Sequence, residues 1–386
     1  MADIEFPLSF RSGIENYTRD LTAAAIRDEL EPVRCRDAEI DRVITILLRQ
    51  SKNNPVLVGE AGVGKTAVVE GLAARIANSR APLPLKSARI LSVSHIDLIA
   101  GTSFRGQYEK RLQSIINDAS ADPDAILFID EMHNLIGAGS AIGAPMDAAN
   151  MLKPALAGGH LRVIGATTEF EYERFIRADG ALERRFQPVK VKELGREETL
   201  DVLKARRSRL EMHHLVAITH EALEAATDLS EKFLPDRKQP DRSIDLLDET
   251  CARVRMGQTE EIPEAITALK TEHEQLRAAE RQAVDELLVV AEAKGTTLER
   301  LSRGTLKVIE AMGMGVEKIL TGQAGPRQPL PLPDSIRRIQ STDPAGRLAR
   351  LHFERLRIED QLKDMLTERG LAITAEHVEA TVGTSE

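Results

Sequence analysis

No tryptophan occurs among the 386 residues, and phenylalanine and tyrosine together make up only 3% of the chain. An aromatic placed outside an apolar run therefore asks for a reason. Cysteine is nearly as scarce, with only Cys35 and Cys251, far apart and in no ligand-like spacing. That excludes a disulfide framework and a cysteine zinc site, and it makes a reducing cytoplasm the expected home. No uninterrupted apolar run approaches the ~18–20 residues of a membrane span. The opening "MADIEFPLSF" lacks a basic stretch followed by an apolar one, so no signal peptide is expected. Basic excess is absent too. A net charge of -9 argues against a chain whose main business is coating nucleic acid or an anionic membrane, although it leaves room for a local basic patch. What is present is 42% hydrophobic residues, enough for a core, on a chain long enough for two or three domains.

Residues 1–30 read as a short lead, partly helical by pattern. From 31 to 194, β-rich runs alternate with helical stretches: "PVLVG" (55–59), "ARILSVS" (88–94), "AILFID" (125–130), "LRVIGATT" (161–168) and "PVKVKEL" (188–194). Strands alternating with helices of this length predict an α/β domain with a five-stranded parallel sheet and crossover helices. Residues 195–258 carry helical pattern alone and read as a small all-helical domain. Residues 259–386 are charge-rich and predict a helical, partly coiled-coil arm, interrupted by the Pro/Gly-rich "AMGMGVEKILTGQAGPRQPLPLPDS". Such an arm is either a solvated surface feature or a partner-binding one.

Four short stretches carry chemistry. "GEAGVGKT" (Gly59, Glu60, Ala61, Gly62, Val63, Gly64, Lys65, Thr66) matches the phosphate-binding loop in full, between a predicted strand and a predicted helix. Its glycines let backbone N–H groups turn toward phosphates, the helix N-terminus adds positive dipole, Lys65 reaches the terminal phosphates, and Thr66 offers a hydroxyl to Mg²⁺. "ILFIDE" is a buried strand ending in two acids, of which Asp130 suits a metal-water ligand and Glu131 the base that activates water. Together they predict hydrolysis of a bound nucleotide rather than binding alone. In "VIGATTEFEYERF", Thr167 or Thr168 either holds the attacking water or caps the next helix. In "ALERRF", Arg184 and Arg185 either stabilise a transferring phosphoryl group, from a neighbouring subunit, or form surface salt bridges.

"KNNPVLVGEAGVGKTAVVEGLAARI", "ILFIDEMHNLIGAGSAIGAPMDAANMLKPALAGGHLRVIGATT" and "GALERRFQPV" resemble the first nucleotide-binding module of the Clp-type AAA+ unfoldases, the ClpA, ClpB and ClpC group. The likeness runs from about Tyr17 to Met256, with a looser echo in the arm and in "ITAEHVEATVG". It implies an AAA+ P-loop NTPase fold with a helical lid. Lys65 and Thr66 take the Walker A positions, Asp130 and Glu131 the Walker B positions, Thr168 the sensor-one position and Arg184 with Arg185 the arginine fingers. A homo-oligomeric ring, usually a hexamer, is implied, with ATP and Mg²⁺ at subunit boundaries. The resemblance also gives Phe104 its reason. "GTSFRGQYEKR" is similar to the family's first pore loop, where Phe104 would grip a polypeptide substrate, Arg105 brace the loop and Gly106 free it. "GAGSAIGAPMD" (137–147) resembles the second pore loop. A structural alternative packs Phe104 into the domain beneath the loop.

This sequence also departs from the pattern. "EPVRCRD" stands where the group usually has "DPVIGRD", so Arg34 and Cys35 put adenine contact in question. Lys238 and Arg242 lie in the sensor-two region without a clear assignment. No second phosphate loop occurs, so the chain reads as one ring's worth of a group that ordinarily carries two modules. The expectation is an ATP-dependent remodeller of polypeptides, with an adaptor or partner on the arm possible in principle and neither nucleic acid nor membrane as partner. The alternative is a nucleotide-switched scaffold that controls assembly without threading. A nucleic-acid motor or clamp loader on the same core is disfavoured by the acidic charge.

Overall fold

Five short apolar runs build the centre of the first unit. The computed structural model describes Ile14, residues 17–94, Ile96, Leu98, and residues 105–137, 148–257, 262–293 and 344–384. Phe104, residues 138–147 of the second pore-loop resemblance, the Pro/Gly-rich interruption and the side chains of Arg105 and Gly106 lie outside the described residues. By packing, the chain divides into one unit built mainly from residues 36–76 and 82–192, and another built mainly from residues 193 onward with the segments 26–35 and 77–81.

In the first unit, β2 (Asn54–Val58), β3 (Arg89–Val93), β4 (Ala125–Ile129), β5 (Val163–Thr167) and β6 (Phe186–Lys190) run parallel in the order β3-β4-β5-β2-β6. β2, β4 and β5 are buried along their whole length, as expected of strands covered on both faces. A sixth strand, β1 (Thr18–Asp20), pairs antiparallel with β3 at the edge. The sequence reading placed these three residues in a helical lead. A three-residue strand has too little periodicity to announce itself, and only its neighbour β3 defines it. Helices α1 (Leu21–Ile26), α2 (Asp37–Leu47), α3 (Lys65–Ala77), α4 (Arg105–Ala121), α5 (Met132–Gly137) and α6 (Ala148–Gly158) accompany the sheet. Val56, Val58, Leu127 and Ile129 from the strands meet Leu112, Ile115 and Leu152 from the helices in an almost wholly aliphatic core. Asn54 is a buried exception: its Oδ1 accepts from Val163 N at 2.8 Å, joining the starts of β2 and β5.

The second unit is helical. α7 (Arg196–His214), α8 (His220–Phe233) and α9 (Asp241–Met256) share a core that includes Leu203, Leu223, Ala226, Leu246, Leu247 and Cys251. α8 starts at Thr219, whose hydroxyl accepts from Ala222 N, the usual satisfaction of an orphan helix N–H. The same core takes in Ile373, Val378 and Val382. These come from β8 (Ala372–Ile373), which pairs parallel with β7 (Ala217–Ile218), and from α12 (Ala375–Gly383). The sequence reading put this tail in the arm, whereas here it packs with the three lid helices. The local pattern of the tail marks an apolar face but not which helices cover it.

Between them, α10 (Glu264–Ala293) and α11 (Pro344–Glu368) pack side by side. Contacts His273–Glu359, Glu280–Arg355 and Glu286–Arg347 run in opposite chain directions, so the pair is antiparallel. Its apolar seam joins Ile266, Ile358, Leu362 and Leu366 to Leu215 and Leu371. A polar cluster is buried beside it. Glu359 accepts from His273 Nε2 at 2.9 Å, Arg355 at 2.7 Å and Ser208 Oγ of α7 at 2.8 Å. Burial alone would raise this carboxyl, but the His273 hydrogen bond, the Arg355 charge and the Ser208 hydroxyl outweigh it and bring it down to about 2. Among the described residues no helix is long and apolar enough to cross a membrane.

Candidate functional site

The carboxyl ends of β2, β5 and β4 lie side by side; the first opens into Gly59, and the other two hand the chain to Thr168 and Asp130. Open parallel sheets place ligands at this edge. After β2, the loop Gly59–Thr66 leads into α3, which begins at Lys65. Gly62 and Gly64 take φ of +82° and +90°, conformations that side chains resist. At Gly59 a Cβ would sit 2.4 Å from the carbonyl oxygen of Val191, so the loop passes too close to the chain after β6 for any larger residue. Lys65 Nζ donates to the carbonyls of Gly59 and Glu60, each at 2.9 Å. Burial lowers its pKa, opposed by the charges of Asp130, Glu171, Glu60 and Glu131. The lysine thus stands in a field of carboxylates.

After β4 come the two acids. Thr66 Oγ1 donates to Asp130 Oδ2 at 2.8 Å, which brings the end of the phosphate-loop motif onto the first acid. Two hard oxygen donors so placed suit Mg²⁺, which prefers one or two protein oxygens beside phosphate and water. Asp130 Oδ1 accepts from Glu131 N at 2.9 Å. Glu131 has φ of +44°, rare for a side chain with a Cβ. Its exposed carboxylate accepts from Asn134 Nδ2 at 2.8 Å through Oε2. Backbone strain of this kind, on the order of 1–3 kcal/mol, gathers at functional sites.

After β5, Thr168 caps the helical turn that follows it. Its hydroxyl accepts from Glu171 N at 3.4 Å while its N–H donates to Glu171 Oε2 at 3.1 Å, closing a capping box, and the hydroxyl proton goes to that same oxygen at 2.7 Å. Thr167, at the last strand position and 2% exposed, donates to the same oxygen at 3.1 Å. His133 of α5 reaches the same oxygen, with Nδ1 2.9 Å from Glu171 Oε2 and 3.2 Å from Thr167 Oγ1. Burial would raise the Glu171 carboxyl, yet the Thr168 hydroxyl and N–H, the His133 charge and the Thr167 hydroxyl together hold it below its usual range.

Arg184 and Arg185 lie elsewhere. They precede Phe186, the first residue of β6, which pairs with Asn54 at the amino end of β2. The phosphate loop leaves the carboxyl end of β2, so five strand positions, on the order of 16 Å, separate the two. The pair is beyond an arginine's reach of its own chain's loop. Among the described residues neither guanidinium forms an ion pair, and both border a cavity of about 430 Å³ shared with Lys153, Pro154 and Ala181. In the helical unit, Lys238 and Arg242 both pair with Glu193, at 3.7 and 3.3 Å. Cys35 has φ of +58°, and its thiol lies 3.8 Å from the Glu198 carbonyl.

Arg36 went unnoticed in the sequence. It is 4% exposed, and its guanidinium donates to Val63 O at 2.5 Å and Lys192 O at 2.9 Å while pairing with Glu39. It thereby fastens the phosphate loop to the chain after β6. The fixed spacing that identifies the loop says nothing of this brace, which comes from 27 residues upstream of Val63. His133, Asn134 and Glu171 were likewise missed. The only local hint was Glu171 three residues after Thr168, the spacing of a capping box.

Comparison with known proteins decides the family. Residues 55–192 match the model of the ATPase family associated with various cellular activities (AAA), and residues 195–299 match the AAA lid domain. The chain belongs to the AAA ATPase family. It is homologous to the ClpB chaperones: the chaperone protein ClpB of Pseudomonas putida is 48% identical over 286 residues, 72% of this chain and 33% of that protein. Among solved structures, the S. cerevisiae Hsp104–ADP complex is similar over 95% of this chain and 51% of that one, with TM-score 0.61 and 29% identity. The S. cerevisiae Hsp104–casein complex in its extended conformation covers 82% of this chain and 54% of that one, with TM-score 0.58 and 35% identity. This AAA chain spans about a third of the length of the curated relative and half of the Hsp104 chains. The expected AAA+ fold, with its mostly parallel sheet and helical lid, is thereby established.

Proposed function

We propose that this chain binds ATP with Mg²⁺ at Gly59–Thr66 and hydrolyses it, and that the cycle drives the remodelling of polypeptides by a ring of copies. The observation that carries the reading is the convergence of Thr66 on Asp130 at 2.8 Å, with Glu131 one residue further on an exposed, strained turn. In this reading Gly59–Gly64 turn backbone N–H groups to the phosphates and Lys65 meets the terminal ones. Thr66 and Asp130 hold Mg²⁺, which supplies charge neutralisation at the phosphates when bound. Glu131 takes a proton from a water as its oxygen bonds to the terminal phosphorus. The bond from that phosphorus to the bridging oxygen breaks, and ADP departs with phosphate. Thr168 and Thr167 lie at the position where the attacking water or the terminal phosphate would be sensed.

Arg184 and Arg185 serve a neighbour's site. Their place at the amino end of the sheet supports this, since they cannot serve their own. A ring of copies, cytoplasmic like the reading of its thiols, follows from that trans role. Phe104 grips the substrate chain, a broad apolar contact without sequence readout. The likeness to a casein-bound Hsp104 supports polypeptide as the substrate class. The lid spans residues 195–258 and the arm begins at 259.

Steady-state ATP hydrolysis by the wild-type chain and by Phe104→Ala, each with and without casein, tests the reading. Stimulation by casein in the wild type and its loss in Phe104→Ala are expected. Hydrolysis indifferent to casein and equal in both would replace threading with a nucleotide-switched scaffold. Absence of hydrolysis would overturn the enzymatic reading.

A further inference from the structure

One oxygen of Glu171 gathers three donors and, wherever His133 Nδ1 carries its proton, a fourth, from three places in the fold. Thr167 Oγ1 comes from the end of β5, Thr168 N and Oγ1 from the following cap, and His133 Nδ1 from α5, at distances between 2.7 and 3.1 Å. Most carboxylates in a capping box serve one N–H and stop there. This one also holds the hydroxyl protons of both threonines. A hydroxyl has a single proton to give and two lone pairs. With the protons of Thr167 and Thr168 committed to Glu171, and one Thr168 lone pair already accepting from Glu171 N at 3.4 Å, what either threonine can offer a water or a phosphate-bound water is a lone pair. Such a hydroxyl accepts a hydrogen bond and turns the water's oxygen away from itself.

His133 adds the link between strands. It stands two residues after Glu131 on the helix that Met132 opens, and Thr167 lies directly across β2 from Val58, which precedes the phosphate loop. The Glu171 carboxylate therefore ties the segment carrying the acids to the segment lying beside the loop.

We propose that Glu171 is the positioning residue of this site, fixing Thr167 and Thr168 as hydrogen-bond acceptors and, through His133, making the end of β5 and the helix after Glu131 respond to nucleotide together. This rests on the proposed ATP hydrolysis and names a residue that neither the phosphate loop nor the acid pair includes. It predicts a separation of effects. Glu171→Gln keeps the size but replaces an acceptor with an amide that must compete for the same donors. Turnover falls about tenfold or more, the scale of a lost charge-assisted hydrogen bond. ADP affinity stays within about twofold, because among the described residues no hydrogen bond or ion pair joins Glu171 to Gly59–Thr66, and the preference for a non-hydrolysable ATP analogue over ADP narrows by a similar tenfold.

The experiment measures kcat, KM and the two affinities in wild type, Glu131→Gln, Glu171→Gln and His133→Gln. Wild-type turnover abolished in Glu131→Gln secures the underlying reading; no wild-type turnover sinks both together. With the reading secure, lowered kcat and narrowed preference at unchanged ADP affinity support the proposal. Wild-type kcat in Glu171→Gln overturns it. Should Glu171→Gln lose its fold, seen as loss of ADP binding and a collapsed melting transition, His133→Gln and Thr167→Val decide. Each removes one donor to the carboxylate, and lowered kcat with intact ADP binding supports the role, while unchanged kcat removes it. Equal losses in the single variants and in the His133→Gln/Glu171→Gln pair would mark the two as one unit.

Discussion

Lys65 and Glu131 divide binding from chemistry, and single substitutions should pull the two apart. Lys65→Ala removes the cation that meets the terminal phosphates, so ATP affinity should fall about 10- to 100-fold. Glu131→Gln leaves the loop untouched and removes the base, so affinity should hold while turnover falls about 10²- to 10⁴-fold. Titration with a fluorescent nucleotide and a phosphate-release assay read the two separately; parallel losses in both variants would contradict the division. These residues were legible because phosphate binding demands a contiguous loop and a strand's end demands a contiguous run. Arg36, His133 and Glu171 were not, since what each contributes is a partner distant in sequence. Arg36 pairs with Val63 and Lys192, and no spacing in the chain encodes such a brace.

At the scale of elements, the five parallel strands were readable from their apolar runs, while β1 and the placement of α12 had to come from packing. The antiparallel pair α10–α11 offers the sharpest test here. The Glu359 carboxyl sits at about 2 when folded, against an ordinary 4.5 when exposed in the unfolded chain. A depressed pKa stabilises the fold fully above the unfolded value and is lost as pH falls through the folded one. The difference is on the order of 3 kcal/mol, disappearing between about pH 4.5 and 2. Glu359→Gln should lower the urea midpoint of the helical unit near neutral pH, since Arg355 and His273 lose their carboxylate. It should also flatten the acid branch of the stability profile. An unchanged acid branch would mean that the cluster contributes nothing through its charge.

Across the whole molecule, the distance between the arginine pair and its own phosphate loop makes one chain insufficient. Arg184→Ala/Arg185→Ala should lower turnover about 10³-fold or more, in the manner of a lost arginine finger. Mixing it with Glu131→Gln, itself inactive, should restore measurable hydrolysis. At some boundaries an intact Glu131 then meets intact arginines. Specific activity of the wild type should also rise with protein concentration. Mixtures no more active than their parts would place both groups in one chain's site, against the sheet geometry.

The pairing of β7 with β8 sets a timetable for synthesis. Ile218 leaves the ribosome some 155 residues before Ile373, its partner in the register. At about 5–20 residues per second, roughly ten to thirty seconds pass between them. α9 ends at Met256, 117 residues before Ile373, and over that stretch α7, α8 and α9 exist with the face that Ile373, Val378 and Val382 will cover still open. A nascent lid of this design is a sticky intermediate for as long as the arm is being translated, and codon choice over residues 258–372 becomes a variable that acts on its folding yield.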